Sequence, residues 1–276
     1  MPSFIKNTAG GKAVSGGVLA PRSRRGNTNQ VASYWSGGGG LAPSVEYVII
    51  GGGGGGSAGQ TSVNYGGGGA GGVSRSGTSS AHLSPFTVTV GAGGAGRGST
   101  PAVAGGNGTS SVALSVTATA GNGAPINGTG GANADYSGGG LSGINAGGGA
   151  GAGGNGATGG SGGTGATSSI TGSSVCRGGG GAGGENGRGG ASCGGGTQPD
   201  WGNTWNANTN SGAGGSGSGT NGNSGNGGSG IVIIAYSSEY PEISSIDVGL
   251  TYSVSLVSRS GFRVYSFTGG TGTVTF

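Results

Sequence analysis

A three-residue spacing of small residues runs through residues 147–167 and constrains this chain more than any other feature of its sequence. Every third residue from Gly147 to Gly165 is glycine or alanine, and the next frame, from Gly148 to Ala166, follows the same rule. The third frame holds mostly small polar residues, among them Asn155, Thr158, Ser161 and Thr164.

A helix with three residues per turn places each frame on its own face. Polyglycine II has this period and makes no internal hydrogen bonds, so its N–H and C=O groups need partners on neighbouring segments. Two faces without side chains permit that close approach. The sequence therefore predicts a mostly irregular and β fold: a polyglycine II helix bundle, or sandwich, capped by short β-strands, with a small C-terminal β segment.

The alternative is a flexible glycine linker, because glycine-rich sequences without a period are usually disordered. Only 7% of the residues are charged, whereas disordered chains are usually rich in charge. With 81 glycines among 276 residues, large apolar side chains are sparse and occur in short runs. We therefore expect no large hydrophobic core, and stability that depends on backbone pairing and association.

The composition changes along the chain and divides it into three parts. Residues 1–44 are irregular and predict an attachment arm, residues 45–236 form the glycine-rich domain, and residues 237–276 read as ordinary β sequence. Apolar runs predict buried strands at 45–50 and 231–236, and alternating apolar residues predict further strands at 86–90 and 111–119. A second stretch with the three-residue spacing covers residues 178–191.

Charge and targeting signals exclude several classes of protein. The net charge of +4 includes Arg22, Arg24 and Arg25, which predict a solvated arm rather than a nucleic-acid partner. No apolar run approaches the ~20 residues of a transmembrane helix, and the N-terminus lacks the apolar region of a signal peptide. We therefore expect assembly in a cytoplasm, without membrane insertion.

The residues required by common catalytic and metal sites are missing or scattered. Cys176 and Cys193 could pair, but a reducing compartment argues for free thiols, and they are too few for a zinc site with the distant His82. Glycine-rich matches to nucleotide-binding loops lack the helix and acidic residue that such loops need. We expect no enzymatic activity, no metal and no cofactor.

One loop interrupts the glycine pattern with aromatic and amide side chains. This candidate receptor-binding loop contains Asp200, Trp201, Asn203, Trp205, Asn206 and Asn208. Exposed indoles beside amides suit contacts with sugars or proteins. The alternative is that the indoles fill space inside a scaffold that lacks side chains. Asn133, Asp135 and Tyr136 are a second candidate site.

Three junctions between strands and glycine runs resemble the glycine-rich structural proteins of tailed bacteriophages, of the tail-fibre and receptor-binding adhesin type. They are VEYVIIGGGGGG at 45–56, TVTVGAGGAG at 87–96 and GGSGIVIIAY at 227–236, and the ending GFRVYSFTGGTGTVTF is also similar. The resemblance implies a polyglycine II sandwich in a virion, with loops that contact a host receptor. It does not extend to the arm, which we expect to bind other virion proteins.

The sequence leaves other functions open. A capsid fibre or decoration protein has the same features, and the row of Asn155, Thr158, Ser161 and Thr164 would suit an ice-binding face. A matrix or wall protein is the third alternative, which the missing signal peptide disfavours. Because the apolar strands at 45–50 and 231–236 have little other core to enter, we also expect a homotrimer.

Overall fold

The computed structural model describes residues 44–59, 65–80, 84–98, 103–184, 191–197, 205–219 and 222–276. All of them belong to one compact unit, Ala42–Phe276. The predicted arm lies outside the described residues except for Ser44, so the three-part division of the chain stays a prediction. Within the described residues the chain is all-β and contains no helix.

The strands are short except at the C-terminal end of the chain. In chain order they are β1 Val45–Ile50, β2 Ser74–Ser79, β3 Phe86–Thr89, β4 Ser111–Ala113, β5 Val116–Ala118, β6 Ala166–Ser168, β7 Val175–Arg177, β8 Ile231–Ser237, β9 Ser245–Ile246, β10 Leu250–Ser255 and β11 Phe262–Thr275.

Nine of these strands form one antiparallel sheet, in the order β2-β1-β8-β11-β3-β4-β5, with β9 and β10 also paired to β11. The 14-residue β11 connects its two halves: its first part pairs with β8 and β10, and its last part pairs with β3 and β9. Just before β2, the Val73 N–H donates to the Thr119 carbonyl at 2.9 Å, just after β5. The sheet is therefore nearly closed and barrel-like.

Most of the large apolar side chains in the described residues belong to strands of the sheet, where they are buried. Strand β8 is buried along its first six residues, which confirms the strand predicted at 231–236, and β1 confirms the strand at 45–50. One face of the sheet joins residues of β1, β3, β8 and β11 in a cluster that includes Tyr236, Tyr265 and Phe267. The other face holds a smaller cluster around Ile50, Ile233 and others. A core forms despite the composition because the apolar residues are concentrated in the strands.

The glycine segments outside the strands form a network that we call the glycine lattice. Along residues 51–57, successive N–H groups donate to three neighbouring segments in turn. Every third N–H, beginning with that of Gly51, donates to the segment 67–73. The N–H groups between them donate alternately to the carbonyls of Thr109 and Gly106 in one segment and to those of Gly228 and Gly225 in another. The lattice consists of residues 51–59, 65–73, 91–98, 103–109, 119–124, 128–133, 136–140, 145–165, 178–184, 193–197, 205–219 and 222–230.

The prediction that a polyglycine II helix bundle forms the fold is wrong. The described chain is all-β, its organising element is the nine-stranded sheet, and no such helix bundle is present in the described residues. Residues 147–167 do not run as one helix, because the chain turns at Ala152 and Gly153 and again at Thr158 and Gly159, where the φ of Gly159 is 74°. The spacing cannot distinguish a glycine that hydrogen-bonds to a neighbour from one that turns the chain. In the second stretch, residues 185–190 lie outside the described range.

One strand prediction also needs correction, and one strand was not predicted. The predicted strand at 111–119 is a hairpin of β4 and β5, because Leu114 and Ser115 have φ values of 51° and 61° and reverse the chain. The sequence analysis did not predict β2, whose sequence SRSGTS has no apolar residue, since that strand depends on pairing with β1.

Cys176 and Cys193 form a disulfide, contrary to the expectation of free thiols. Cys176 lies in β7, which pairs with β6 in a separate two-stranded sheet that we call the β6–β7 arm. The disulfide joins this arm to lattice segment 193–197. The expectation rested on an assumed cellular compartment, whereas the structure places the two side chains within bonding distance.

A single methyl group should disrupt the lattice at its centre. A Cβ added at Gly54 would overlap the Asn122 carbonyl, whereas the nearest atom to a Cβ at Gly140 is Thr158 Oγ1, at 3.8 Å. We expect Gly54→Ala to lower the free energy of unfolding by about 3 kcal/mol or more, and Gly140→Ala to change it by less than about 1 kcal/mol. Denaturant unfolding of both variants measures this, and equal stabilities would contradict the packing described above.

Removing the disulfide should destabilise the chain. Cys176 and Cys193 are 17 residues apart in sequence, and closing a loop of about this length contributes roughly 3 kcal/mol in the chain-entropy account. We expect the double variant Cys176→Ser, Cys193→Ser to lose about that much stability in denaturant unfolding. The reduced native protein is the control and should match the variant, and equal stability of oxidised protein and variant would refute the expectation.

Candidate functional site

The glycine lattice has a sheet-proximal end and an opposite end. Residues 51–59 leave the sheet directly after β1, and residues 65–73 run antiparallel to them, because Gly51 pairs with Val73 and Ser57 pairs with Gly67. The other segments alternate in the same manner. The hydrogen-bond register places the ends and turns of the segments opposite the sheet in what we call the distal end: Gly59, Tyr65, Gly98, Val103, 125–128, 141–145, 158–160, Gly184, Trp205, Gly219 and Gly222.

Large apolar side chains are exposed at the distal end. Each has between 37% and 49% of its surface exposed, and they are Val103, Ile126, Leu141, Ile144 and Trp205. Three of them belong to two adjoining loops, 125–128 and 141–145, which we call the distal loops. Five further large apolar side chains are exposed in β10 and the turns that flank it: Val248, Tyr252, Val254, Leu256 and Val257. The distal end is therefore one of two exposed apolar regions among the described residues, and grouped exposed apolar residues are more informative than single ones.

The distal loops are held by the lattice beneath them. The Tyr65 N–H donates to the Ile144 carbonyl at 3.4 Å, and the Gly147 N–H donates to the Gly128 carbonyl at 2.8 Å. The side chain of Leu141 covers Gly128, since a Cβ at that glycine would meet Leu141 Cδ2 at 2.7 Å. The two loops therefore present Ile126 and Ile144 from a fixed backbone.

The structure describes half of the predicted receptor-binding loop. Asp200, Trp201 and Asn203 lie outside the described residues. The Trp205 side chain is 44% exposed at the distal end, and its backbone is fixed by Ser216, whose N–H donates to the Trp205 carbonyl at 3.2 Å. This indole is therefore available for contact rather than buried inside the scaffold.

The two described asparagines of that loop have different roles. Asn206 Oδ1 accepts the Asn226 N–H at 2.8 Å, so its amide belongs to the lattice. Asn208 is exposed and lies closer to the sheet, where its N–H donates to the Gly194 carbonyl at 2.9 Å. The structure thus places Trp205 at the distal end, Asn206 next to it in the lattice, and Asn208 closer to the sheet.

Asparagine amides complete the lattice at its margins. The Oδ1 atoms of Asn107, Asn155 and Asn226 accept backbone N–H groups at 2.7–2.9 Å. A buried or half-buried N–H without a neighbouring carbonyl is costly, and a side-chain amide can replace that carbonyl. The amides of these three asparagines are therefore structural.

The second predicted site, around Asn133, is also engaged internally. Asn133 Nδ2 donates to the carbonyls of Gly71 and Gly151 at 2.9 and 3.1 Å, and Oδ1 accepts the N–H groups of Asp135 and Tyr136. Asp135 forms a bidentate ion pair with Arg75, at 2.7 and 3.0 Å. Hydrogen bonding from Arg75, reinforced by its charge, lowers the pKa of Asp135 despite the opposing effect of burial.

The sequence analysis missed the distal loops. Ile126, Leu141 and Ile144 are single aliphatic residues among turn residues, in the sequences APINGT and GLSGINA. In a chain with little other core, a large aliphatic residue beside Gly, Asn or Pro is a usable sign of an exposed apolar side chain. Gly, Asn and Pro favour turns, and turns lie at the surface. It could have identified all three positions.

The arrangement suits noncovalent contact with another surface. In the described ranges, no three histidine, cysteine or acidic side chains are gathered where they could hold a metal ion. Among the same residues there is no helix with the length and apolar character needed to cross a bilayer. The expected lack of enzymatic activity stays a prediction.

Comparison with known proteins assigns a family. A family model of a glycine-rich domain matches residues 28–237, which is more than half of the chain. The chain belongs to the glycine-rich domain family. No curated protein matches it significantly. The matched residues include the whole of the lattice defined above and both distal loops.

The half-buried amide of Asn133 should contribute more to stability than an exposed one. Asn133→Ala would leave the Gly71 and Gly151 carbonyls without this donor, so we expect a loss of about 1–3 kcal/mol in the free energy of unfolding. Asn208→Ala is the matched control, with an expected change within about 0.5 kcal/mol. Denaturant unfolding of the pair tests this, and an equal effect would show that the Asn133 contacts are not stabilising.

Proposed function

We propose that this member of the glycine-rich domain family is a non-enzymatic structural protein of a bacteriophage virion, a tail-fibre or adhesin component that contacts the host surface. The observation that carries the proposal is the position of the exposed apolar side chains. Ile126, Ile144 and Trp205 lie at the end of the lattice opposite the sheet. The resemblance of residues 45–56 and 227–236 to phage proteins supports the same function.

The lattice supplies the rigidity that such a contact needs. Its segments carry few side chains with rotamers to order, and the central ones are hydrogen-bonded on several sides. Loops on a rigid scaffold bind with little loss of conformational entropy. A few aromatic or aliphatic residues can then supply most of the binding free energy. The proposed receptor is a sugar or protein of the host cell surface.

The remaining partners follow from the proposed virion location. Residues 1–44 would attach the chain to other virion proteins, and this proposal concerns residues mostly outside the described range. A homotrimer also stays a proposal, but its original reason no longer applies: β1 and β8 are buried within the sheet of a single chain. Light scattering of the purified protein measures the number of copies.

A capsid fibre or decoration protein is the second candidate, because a rigid lattice with a distal contact surface would serve on a capsid as well. Ice binding has less support. Asn155, Thr158, Ser161 and Thr164 are exposed, but the chain turns at Thr158 and Gly159. They therefore do not form one row along a straight segment.

Immunogold electron microscopy tests the virion assignment directly. Antibodies against the purified chain would be applied to a lysate of the bacterium that carries the gene, after prophage induction. Gold at tail tips supports the proposal, and gold on heads supports the capsid alternative. Labelling of cell surfaces without labelled particles would overturn both.

The distal loops should determine adsorption to the host. Ile144→Ser removes an apolar side chain from the distal end, and we expect it to weaken binding of the purified protein to host cells by at least about fivefold. Val257→Ser is the matched control, since Val257 is 92% exposed in the turn between β10 and β11. Binding that falls equally in both variants, with folding intact by circular dichroism, would exclude the distal loops as the contact surface.

A further inference from the structure

A cavity of about 350 Å³ lies beside the sheet, away from the distal loops. Strands β1 and β2 form its base together with Ile170. Its walls are Ser168 at the end of β6, Ser169, and Arg259 in the turn between β10 and β11. The two loops that carry these walls approach each other closely, because a Cβ added at Gly172 would overlap the Ser258 carbonyl. The volume falls at the lower end of the range of about 300–1,000 Å³ for small-molecule sites.

The floor of the cavity is apolar. Val48 and Ile170 are 3% and 5% exposed and belong to the smaller buried cluster of the sheet. Ile170 comes from the β6–β7 arm, which the disulfide of Cys176 holds to the lattice. The floor therefore has a fixed position relative to β1.

A neutral ion pair forms one side of the cavity. Arg259 Nη1 and Nη2 donate to Glu46 Oε2 and Oε1 at 2.6 and 2.9 Å, and the guanidinium stacks 3.5 Å over the ring of Phe262. The stacking and the bidentate geometry fix both charged groups. Each carboxylate oxygen retains a lone pair, and Arg259 retains further N–H donors. This side of the cavity thus offers hydrogen-bond donors and acceptors to a ligand without a net charge.

Hydroxyl groups of β2 lie beside the ion pair, on the base of the cavity. Ser76 is the cross-strand partner of Val48, and Thr78 is the partner of Glu46, so both side chains share the face of the cavity. No hydrogen bond within the described residues engages either hydroxyl. Ser169 adds a third exposed residue of the same kind. These groups are free to pair with a ligand.

We propose that this cavity binds a neutral saccharide, of the size of a monosaccharide or a disaccharide. Sugar hydroxyls both donate and accept, which matches the fixed ion pair and the free hydroxyls. An anion would meet the Glu46 carboxylate, and a cation would meet Arg259. This site is separate from the distal loops and does not depend on the proposed virion function.

Titration of the full chain with glucose, galactose and N-acetylglucosamine, followed by saturation-transfer NMR and calorimetry, tests the proposal. We expect saturable binding of at least one of them, with a Kd in the millimolar range. Thr78→Val keeps a β-branched side chain in β2 but removes the hydroxyl, and should weaken that binding by about fivefold to tenfold. Thr87→Val is the matched control, because Thr87 is an exposed threonine in β3, outside the cavity, and should leave the Kd unchanged.

Three results would overturn the proposal. One is the absence of saturable binding for all three sugars at concentrations up to about 50 mM. Another is an equal loss of binding in Thr78→Val and Thr87→Val. The last is competition by inorganic phosphate, which would identify an anion site at Arg259. Because Ile144→Ser leaves the cavity intact, sugar binding in that variant separates this proposal from the proposed host contact.

Discussion

Backbone hydrogen bonds between segments without side chains are the interaction on which the rest of this structure depends. Most lattice glycines have a neighbouring carbonyl where a Cβ would stand, as Gly54 has that of Asn122. The close approach lets successive N–H groups reach different neighbours, so a region with little apolar material still pairs its polar backbone groups. The high glycine content is a requirement of this geometry rather than a sign of flexibility.

The sheet supplies the burial of large apolar side chains that the lattice lacks. Strands β1 and β8 lead into and out of glycine segments, so the apolar clusters of the sheet fix the segments at one end. At the other end the chain reverses in loops. Most apolar burial therefore lies in the sheet and backbone pairing lies in the middle of the molecule, while exposed apolar side chains occur both at the distal end and around β10.

The candidate site was only partly predictable. Trp205 stood out as an aromatic residue in a glycine-rich region, and it is exposed at the distal end. Asn133 and Asn206 looked like binding residues because amides are common in binding loops, but their amides complete backbone pairing instead. Sequence composition cannot separate these roles, since the difference lies in which N–H or C=O group happens to lack a neighbour.

The sequence by itself determined the local elements: strands where β-branched residues cluster, as at β1 and β8, and glycine segments that admit close neighbours. The tertiary structure decided where the chain turns, as at Gly159, that SRSGTS forms a strand, and that Cys176 pairs with Cys193. It also decided that Ile126 and Ile144 share one end. The physical reason is that glycine accepts almost any backbone conformation, so its order comes from hydrogen-bond partners that are distant in sequence.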